Sequence, residues 1–324
     1  MRSTVQKISN YLFFHPDVFV NDPAYQLATL RHAPEMSEII WEVKRAFKKG
    51  IVPVKSEHGT SSTYILRGED EQPAAIFKLD YPIKEYAAFR LDHKRFANIP
   101  PTVLTTLYHP EWGGAVTGSC QLFVEDAVTV VEIESRAFKE FSASAVRRMA
   151  QFDIRLINED RHTSNILVRN REEIIPIDHG FVLSTELGSV HYVWVSWEQA
   201  GTPFSSEEKD YISFLDPEKD RAFLIEEMRL PAIVANRHYL SSMLLKIGVI
   251  HGFYPNEIGD MLSKSYRRSA PQSKFEILIE RLLERNAEDW ATFTQYVNDE
   301  IEVLLEEYEA NQHRDFSIIG RVPR

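Results

Sequence analysis

Apolar positions along the chain change their period as it proceeds. From Pro23 to Lys49 they recur at helical spacing (Leu27, Leu30, Ile39, Ile40, Val43, Phe47), which predicts helix with a break near Pro34 and a stop at Gly50. Short apolar runs follow, predicting strands over Ile51–Val54, Thr63–Leu66 and Ala74–Leu79, with the polar RGEDEQP (67–73) as a hairpin turn. A helical run over Lys84–His93 comes next, Pro100 and Pro101 stop regular structure, and two more strands, Val103–Tyr108 and Val116–Val124, flank the turn HPEWGG. Beyond that point the pattern is mostly helical. Helices are predicted over Ser142–Asn158, from Glu207 to Leu215, and over Ile233–Gly252, Asn256–Tyr266, Ser273–Asn286 and Trp290–Ala310. ILV (166–168) and IIPI (174–177) read as a short strand pair between the first two. Residues 1–23 carry no convincing period. The layout predicts an α+β chain with an N-terminal extension over 1–38, a small β-rich lobe over 39–124 and a larger, mainly helical lobe over 125–324. A ligand is expected in a cleft between such lobes.

Composition narrows the function classes. The 324 residues carry 37 Lys+Arg against 48 Asp+Glu, a formal net charge of -11, which disfavours broad binding to nucleic acid or anionic membranes. The single cysteine, Cys120, can form no internal disulfide, so a reducing, cytoplasmic compartment is expected, with peripheral membrane association left open. No apolar stretch approaches the ~20 residues of a membrane span, and the N-terminus shows no secretory signal.

The segment NEDRHTSNILVRNREEIIPIDHGFVL carries the chemistry. Asp160 precedes Asn165 by five residues, and Asn165 precedes Asp178 by thirteen, with the two short strands between. Phosphoryl transfer from ATP needs a cation held against the phosphates and a group acting on the attacking hydroxyl. Asp and Asn offer hard oxygen ligands suited to Mg2+. The protein-kinase pattern H-R-D-x-x-x-x-N has the same Asp-to-Asn separation, and Asp178-His179-Gly180 stands where that family has D-F-G. Any one triplet is also an ordinary solvated turn; the full set at this spacing is not.

Upstream, Lys78 closes the apolar run AAIFK, where it can reach α/β-phosphates, and Glu85, seven residues on, is the candidate to hold it. SEHGTSSTY has one glycine. Its Gly59, Thr60, Ser61 and Ser62 read equally as phosphate-binding donors and as a plain hairpin turn. Gln121, Leu122, Phe123 and Val124 lie where a hinge would offer backbone groups to adenine, with a buried strand as the other reading. His162, between Asp160 and Asn165, is a candidate for proton transfer, whereas His179, Trp194 and Trp197 read as packing residues. Cys120 reads as buried and inert, although its place beside the hinge also makes it a candidate for covalent probes. The acidic run at Glu300–Ala310 reads as a solvated helix face.

DRHTSN followed by IDHG resembles the phosphatidylinositol 3-/4-kinase superfamily, in which D-R-H-x-x-N precedes D-x-G. Within it the chain is most similar to the type II phosphatidylinositol 4-kinases, nearest the plant gamma group. EYAAFRLDHKRFANIPPT, FDIRLINEDRHTSNILV, IIPIDHGFVL, the Trp194–Glu207 segment, YISFLD and SSMLLKIGVIHGFYPNEIG carry that likeness in the family's order, over most of residues 39–265. The resemblance implies a bilobal protein-kinase-like fold using ATP and Mg2+ (or Mn2+). It implies Asp160 acting on the acceptor hydroxyl with His162 beside it, Asn165 and Asp178 as metal ligands, and Lys78 on the phosphates. It also implies Gln121–Val124 as the hinge and Ile177 under the adenine. The acceptor it implies is phosphatidylinositol at a membrane surface. A protein (Ser/Thr) acceptor on the same fold is the alternative. A nucleotide-binding pseudokinase is disfavoured by the intact set Lys78, Asp160, Asn165 and Asp178. The chain departs from the plant gamma pattern in having only six residues between Lys78 and Glu85, a Gly-poor phosphate loop and no cation between Arg171 and Lys209. That last stretch includes the expected activation loop, Gly180 to Ala200, and argues against acceptors already phosphorylated on the ring.

Overall fold

The computed structural model of the chain describes residues 20–56, 62–264 and 272–319. Its contacts separate two units. The first gathers the residues up to Leu91 with Ile99–Glu125 and Ala222–Ala232, and the second Asp92–Asn98, Asp126–Arg221 and the chain from Ile233 onward.

The first unit is built on a five-stranded antiparallel sheet, β1 Val54–Lys55, β2 Thr63–Arg67, β3 Pro73–Lys78, β4 Thr102–His109 and β5 Gly114–Leu122, in the order β1-β2-β3-β5-β4. Helices α1 Pro23–Thr29 and α2 Met36–Lys48 precede it, and α3 Pro82–Leu91 is inserted after β3. The break predicted near Pro34 falls between α1 and α2. Asp22 caps α1 by accepting the Ala24 amide, with Pro23 in the first turn. Along α2 the buried side chains Met36, Ile40, Val43 and Ala46 follow one helical stripe. Leu66, Ala75, Phe77 and Val103 bury the sheet's inner face. The first strand starts at Val54, later than the apolar run suggests, and follows directly on Pro53, which has no amide to give the ladder.

The second unit is mainly helical. It contains α4 Ala143–Leu156, α5 Ser206–Phe214, α7 Ala232–Ile250, α8 Pro255–Leu262, α9 Lys274–Arg285 and α10 Trp290–Ile319, with a small sheet of β6 Val128–Thr129, β7 Ile166–Arg169 and β8 Glu173–Pro176 in that order. Helix α6, Pro217–Glu226, divides at Arg221 and Ala222, its first half counted with this unit and its second half with the sheet unit. The sequence pattern missed α6, because a ten-residue helix whose neighbours change along its length has no single apolar stripe to read. Val146, Met149, Trp194, Leu244, Ile258, Phe275 and Ile301 belong to one continuous core. Gly259 is required there by close approach: a Cβ on it would sit 2.7 Å from the Trp194 ring. The small sheet-rich part and larger helical part make the α+β class expected from the pattern.

Asp220 on α6 gathers a buried polar cluster in the helical unit. Its carboxylate accepts from Arg155 Nη2 at 2.9 Å and lies 2.7 Å from His93 Nε2 and 3.4 Å from His238 Nε2. Burial alone would raise its pKa, but the hydrogen bonds from His238 and His93 and the Arg155 charge outweigh burial and hold it well below the usual carboxylate range. A carboxyl depressed in the folded state stabilises above its unfolded pKa of about 4, and that stability is lost as pH falls toward the folded value. Thermal denaturation should therefore show a fall in melting temperature below about pH 4 that is shallower in Asp220→Asn. Superimposable acid limbs would show that Asp220 carries no such linkage.

Candidate functional site

In the helical unit, the residues singled out from the sequence are organised around a buried ion pair that the sequence reading did not anticipate. Asp153, in the last turn of α4, and Arg161 are both fully buried. Arg161 Nε donates to both carboxylate oxygens of Asp153, at 3.1 and 3.0 Å. Arg161 Nη1 donates to the carbonyls of Asn165 and, at 2.8 Å, Ile177, while Nη2 lies 3.2 Å from His179 Nε2. A guanidinium has no acceptor, so His179 Nε2 must accept, and the neutral ring carries its proton on Nδ1. Asn158 Nδ2 and Trp194 Nε1 complete the Asp153 carboxylate at 3.0 and 2.9 Å. One arginine thus pins α4, the Asp160–Asn165 loop and the turn after β8 together.

On this frame Asp160 is about two-fifths exposed and His162 about half. His162 Nδ1 accepts the Ser164 amide at 3.2 Å, and its Nε2 lies 3.2 Å from Asn165 Nδ2 and 3.5 Å from Asp160 Oδ2. Asn165 is buried, and its Nδ2 donates to the Asp160 carbonyl at 3.0 Å. The opposite edge of that amide is its oxygen, the atom a hard cation would take. The β7–β8 hairpin pairs Ile166 with Pro176, and the Ile177 amide donates to the Asn165 carbonyl at 3.1 Å. Asp178 follows directly, half-buried, with a left-handed φ of 57°. That conformation is uncommon for a residue with a Cβ, although Asp tolerates it better than most. An amide oxygen and a carboxylate, the groups Asn165 and Asp178 carry, are of the hard type that Mg2+ accepts.

In the sheet unit, Lys78 Nζ and Glu85 Oε1 are 2.6 Å apart, and both side chains are buried. Lys78 ends β3, opposite Ser119 in β5, and Glu85 lies in the first turn of α3. Gly118 makes the approach of the two strands possible, because a Cβ there would sit 2.4 Å from the Lys78 carbonyl oxygen.

Gly59, Thr60 and Ser61 lie outside the described residues. Ser62 is described: its amide donates to Asp80 Oδ2 at 2.6 Å, which takes up one of the donors expected for a phosphate. In the hinge candidate, Gln121 is buried and its Nε2 bonds Thr102 Oγ1 at 3.0 Å. The Leu122 and Phe123 amides donate to the Pro101 and Ala74 carbonyls. Of the four hinge positions, Val124 is the one whose amide the sheet does not take up. Cys120 is fully buried and its thiol is pushed up to about 12 by that burial, which removes it as a covalent-probe target. Trp194 and Trp197 are buried, as is Tyr192, whereas Phe181 is about half exposed. Arg161, Asp153 and Gly118 were not singled out from the sequence. The available signal was the arginine's place inside the DRH triplet, and no periodic pattern links it to Asp153, because the chain leaves the helix between them at Ile157.

Comparison with known proteins matches residues 43–258, about two thirds of the chain, to the family described as "Phosphatidylinositol 3- and 4-kinase". The chain belongs to this family. Among curated proteins it is similar to "Phosphatidylinositol 4-kinase gamma 4" of Oryza sativa subsp. japonica, with 29% identity over 80% of the chain and 53% of that protein. It is similar as well to two Arabidopsis thaliana proteins. "Phosphatidylinositol 4-kinase gamma 6" is 28% identical over 81% of the chain and 52% of its own length. "Phosphatidylinositol 4-kinase gamma 2" is 30% identical over 71% of the chain and 52% of its own length. The chain spans about half the length of these relatives. The matched span contains Lys78, Glu85, Asp153, Asp160, Arg161, Asn165 and Asp178. Among the described residues no helix is long and apolar enough to cross a membrane.

Removing the Asp153 carboxylate leaves Arg161 as an uncompensated buried charge. Asp153→Ala should lower the unfolding free energy in urea by about 3–5 kcal/mol, and Asp153→Ala/Arg161→Met should recover part of it. A single-variant loss near zero would mean that Arg161 is satisfied without Asp153.

Proposed function

We propose that the chain is an ATP-dependent phosphotransferase acting on an alcohol group, with phosphatidylinositol as its acceptor. The observation that carries this reading is the Asp160–Asn165 loop locked to the turn before Asp178 through Arg161, inside the span that matches the kinase family. Asp160, exposed enough to meet an acceptor, takes the hydroxyl proton as the oxygen bonds to the γ-phosphorus and the bond from that phosphorus to the β–γ bridging oxygen breaks, with ADP leaving. His162, its Nε2 3.2 Å from Asn165 Nδ2 and 3.5 Å from Asp160 Oδ2, packs beside that carboxylate and restricts where it can point. Lys78, positioned by Glu85, supplies positive charge to the phosphates of ATP. Asn165 and Asp178 would hold Mg2+, which when bound neutralises phosphate charge. The Val124 amide is the hinge group left to recognise adenine, and half-buried Ile177 offers it an apolar contact. The half-exposed Phe181 supports contact with a lipid surface.

A protein acceptor is the second reading, favoured by the absence of Lys and Arg between Arg171 and Lys209, which suits basic residues flanking the target hydroxyl. Labelled ATP offered in parallel to phosphatidylinositol vesicles and to a protein extract distinguishes the two. Label is expected in the lipid, with Asp160→Ala and Asp178→Asn each lowering transfer at least about 100-fold while melting as the unaltered chain does. Label confined to protein would overturn the lipid reading, and near-normal transfer by either folded variant would overturn the assignment of that residue.

A further inference from the structure

The stretch between Arg171 and Lys209 lacks cations of its own, yet the fold brings one to it from α7. Arg237 Nη1 donates to the Thr185 carbonyl at 2.7 Å and lies 3.4 Å from the Ser184 carbonyl. From the other side, Glu159 Oε1 accepts the Gly188 amide at 3.1 Å. Gly188 is held so close that a Cβ on it would sit 2.6 Å from Glu159 Oε2. The Glu159 amide in turn donates to the Phe181 carbonyl at 3.1 Å, and the Leu183 amide to the Leu156 carbonyl at 3.3 Å. Leu156, Leu183, Leu187 and Val234 line a small cavity together with Glu159 and Arg237. Glu159 immediately precedes Asp160. Its side chain therefore couples the residue that would act on the acceptor hydroxyl to residues 183–188, where acceptor specificity would be set.

We infer that Glu159 and Arg237 are positioning residues that clamp residues 183–188 in the shape that receives the acceptor. Both bonds join a charged side chain to backbone, the kind of hydrogen bond that holds a loop most firmly. Neither depends on the side chains of Ser184 and Thr185. The clamp fixes the path of the segment and leaves those side chains to read the acceptor. It rests on the kinase reading for its activity readout, though not for its structural one.

Hydrogen exchange on the full chain tests it directly. In Glu159→Ala and in Arg237→Ala, exchange across residues 183–188 should rise about tenfold, with exchange in α4 and α7 unchanged. Glu159→Gln, which keeps an acceptor oxygen, and Arg237→Lys, which keeps a cationic donor, should recover part of the protection. Gly188→Ala should mimic Glu159→Ala by steric exclusion. With phosphatidylinositol vesicles, KM for the lipid should rise about tenfold in the alanine variants, with kcat and KM for ATP unchanged. Unchanged exchange in both alanine variants would overturn the clamp, as would an equal rise in KM for ATP. Failure of the unaltered chain to phosphorylate the vesicles would overturn the lipid reading, leaving the exchange result to decide the clamp.

Discussion

A guanidinium taken fully out of water must have its N–H groups met by protein, and the way Arg161 meets this demand organises the candidate residues of the helical unit. Its partners are the Asp153 carboxylate, two main-chain carbonyls and an imidazole nitrogen, drawn from three segments between Asp153 and His179. Desolvating an ion pair of this kind costs several kcal/mol per charge, so the pair is weak evidence for stability as such. Its effect is geometric. The backbone can satisfy Arg161 only if the Asn165 carbonyl and the Ile177 carbonyl converge on one side chain, and that convergence brings Asn165 and Asp178 to neighbouring places on the β7–β8 hairpin. The Trp194 indole, the Asn158 amide and the closely packed Gly259 complete the surroundings of the same pair.

The sheet unit solves a related problem by different means. Lys78 is held at a strand end by a carboxylate from the next helix, and its backbone is approached by β5 at a glycine. Here the constraint is steric as much as electrostatic. A side chain at Gly118 would force the two strands apart at Lys78. Burial of both Lys78 and Glu85 lowers the local dielectric, so each strongly requires the other.

Much of this was legible in the sequence because it depends on local pattern. The α/β alternation, the five strands, the break near Pro34 and the spacing of Asp160, Asn165 and Asp178 all follow from residues close together in the chain. Lys78 and Glu85 were paired correctly in space because a strand end and the first turn of the following helix lie within reach. The misses share one cause. Helix α6 has no single apolar face, Asp153 and Trp194 are 41 residues apart, and Arg237 meets a loop some fifty residues upstream of it. Ser62 illustrates the reverse case: its residue type suits a phosphate loop, but Asp80, eighteen residues away, already holds its amide. The scarcity of cations around the expected activation loop is true of the linear chain and incomplete in the fold, because α7 delivers one.

The division of α6 at Arg221 and Ala222 bears on the order in which the protein can be assembled. The sheet unit recruits residues 222–232, so its last component leaves the ribosome only after all of α4, the DRH loop and the small sheet have been made. The sheet's five strands can pair early, but the unit cannot be complete until a segment from the middle of the helical region returns to it. Synthesis from the N-terminus therefore does not finish one unit before starting the other. The two mature together, and cutting the chain after Glu125 would separate the sheet from part of its own structure.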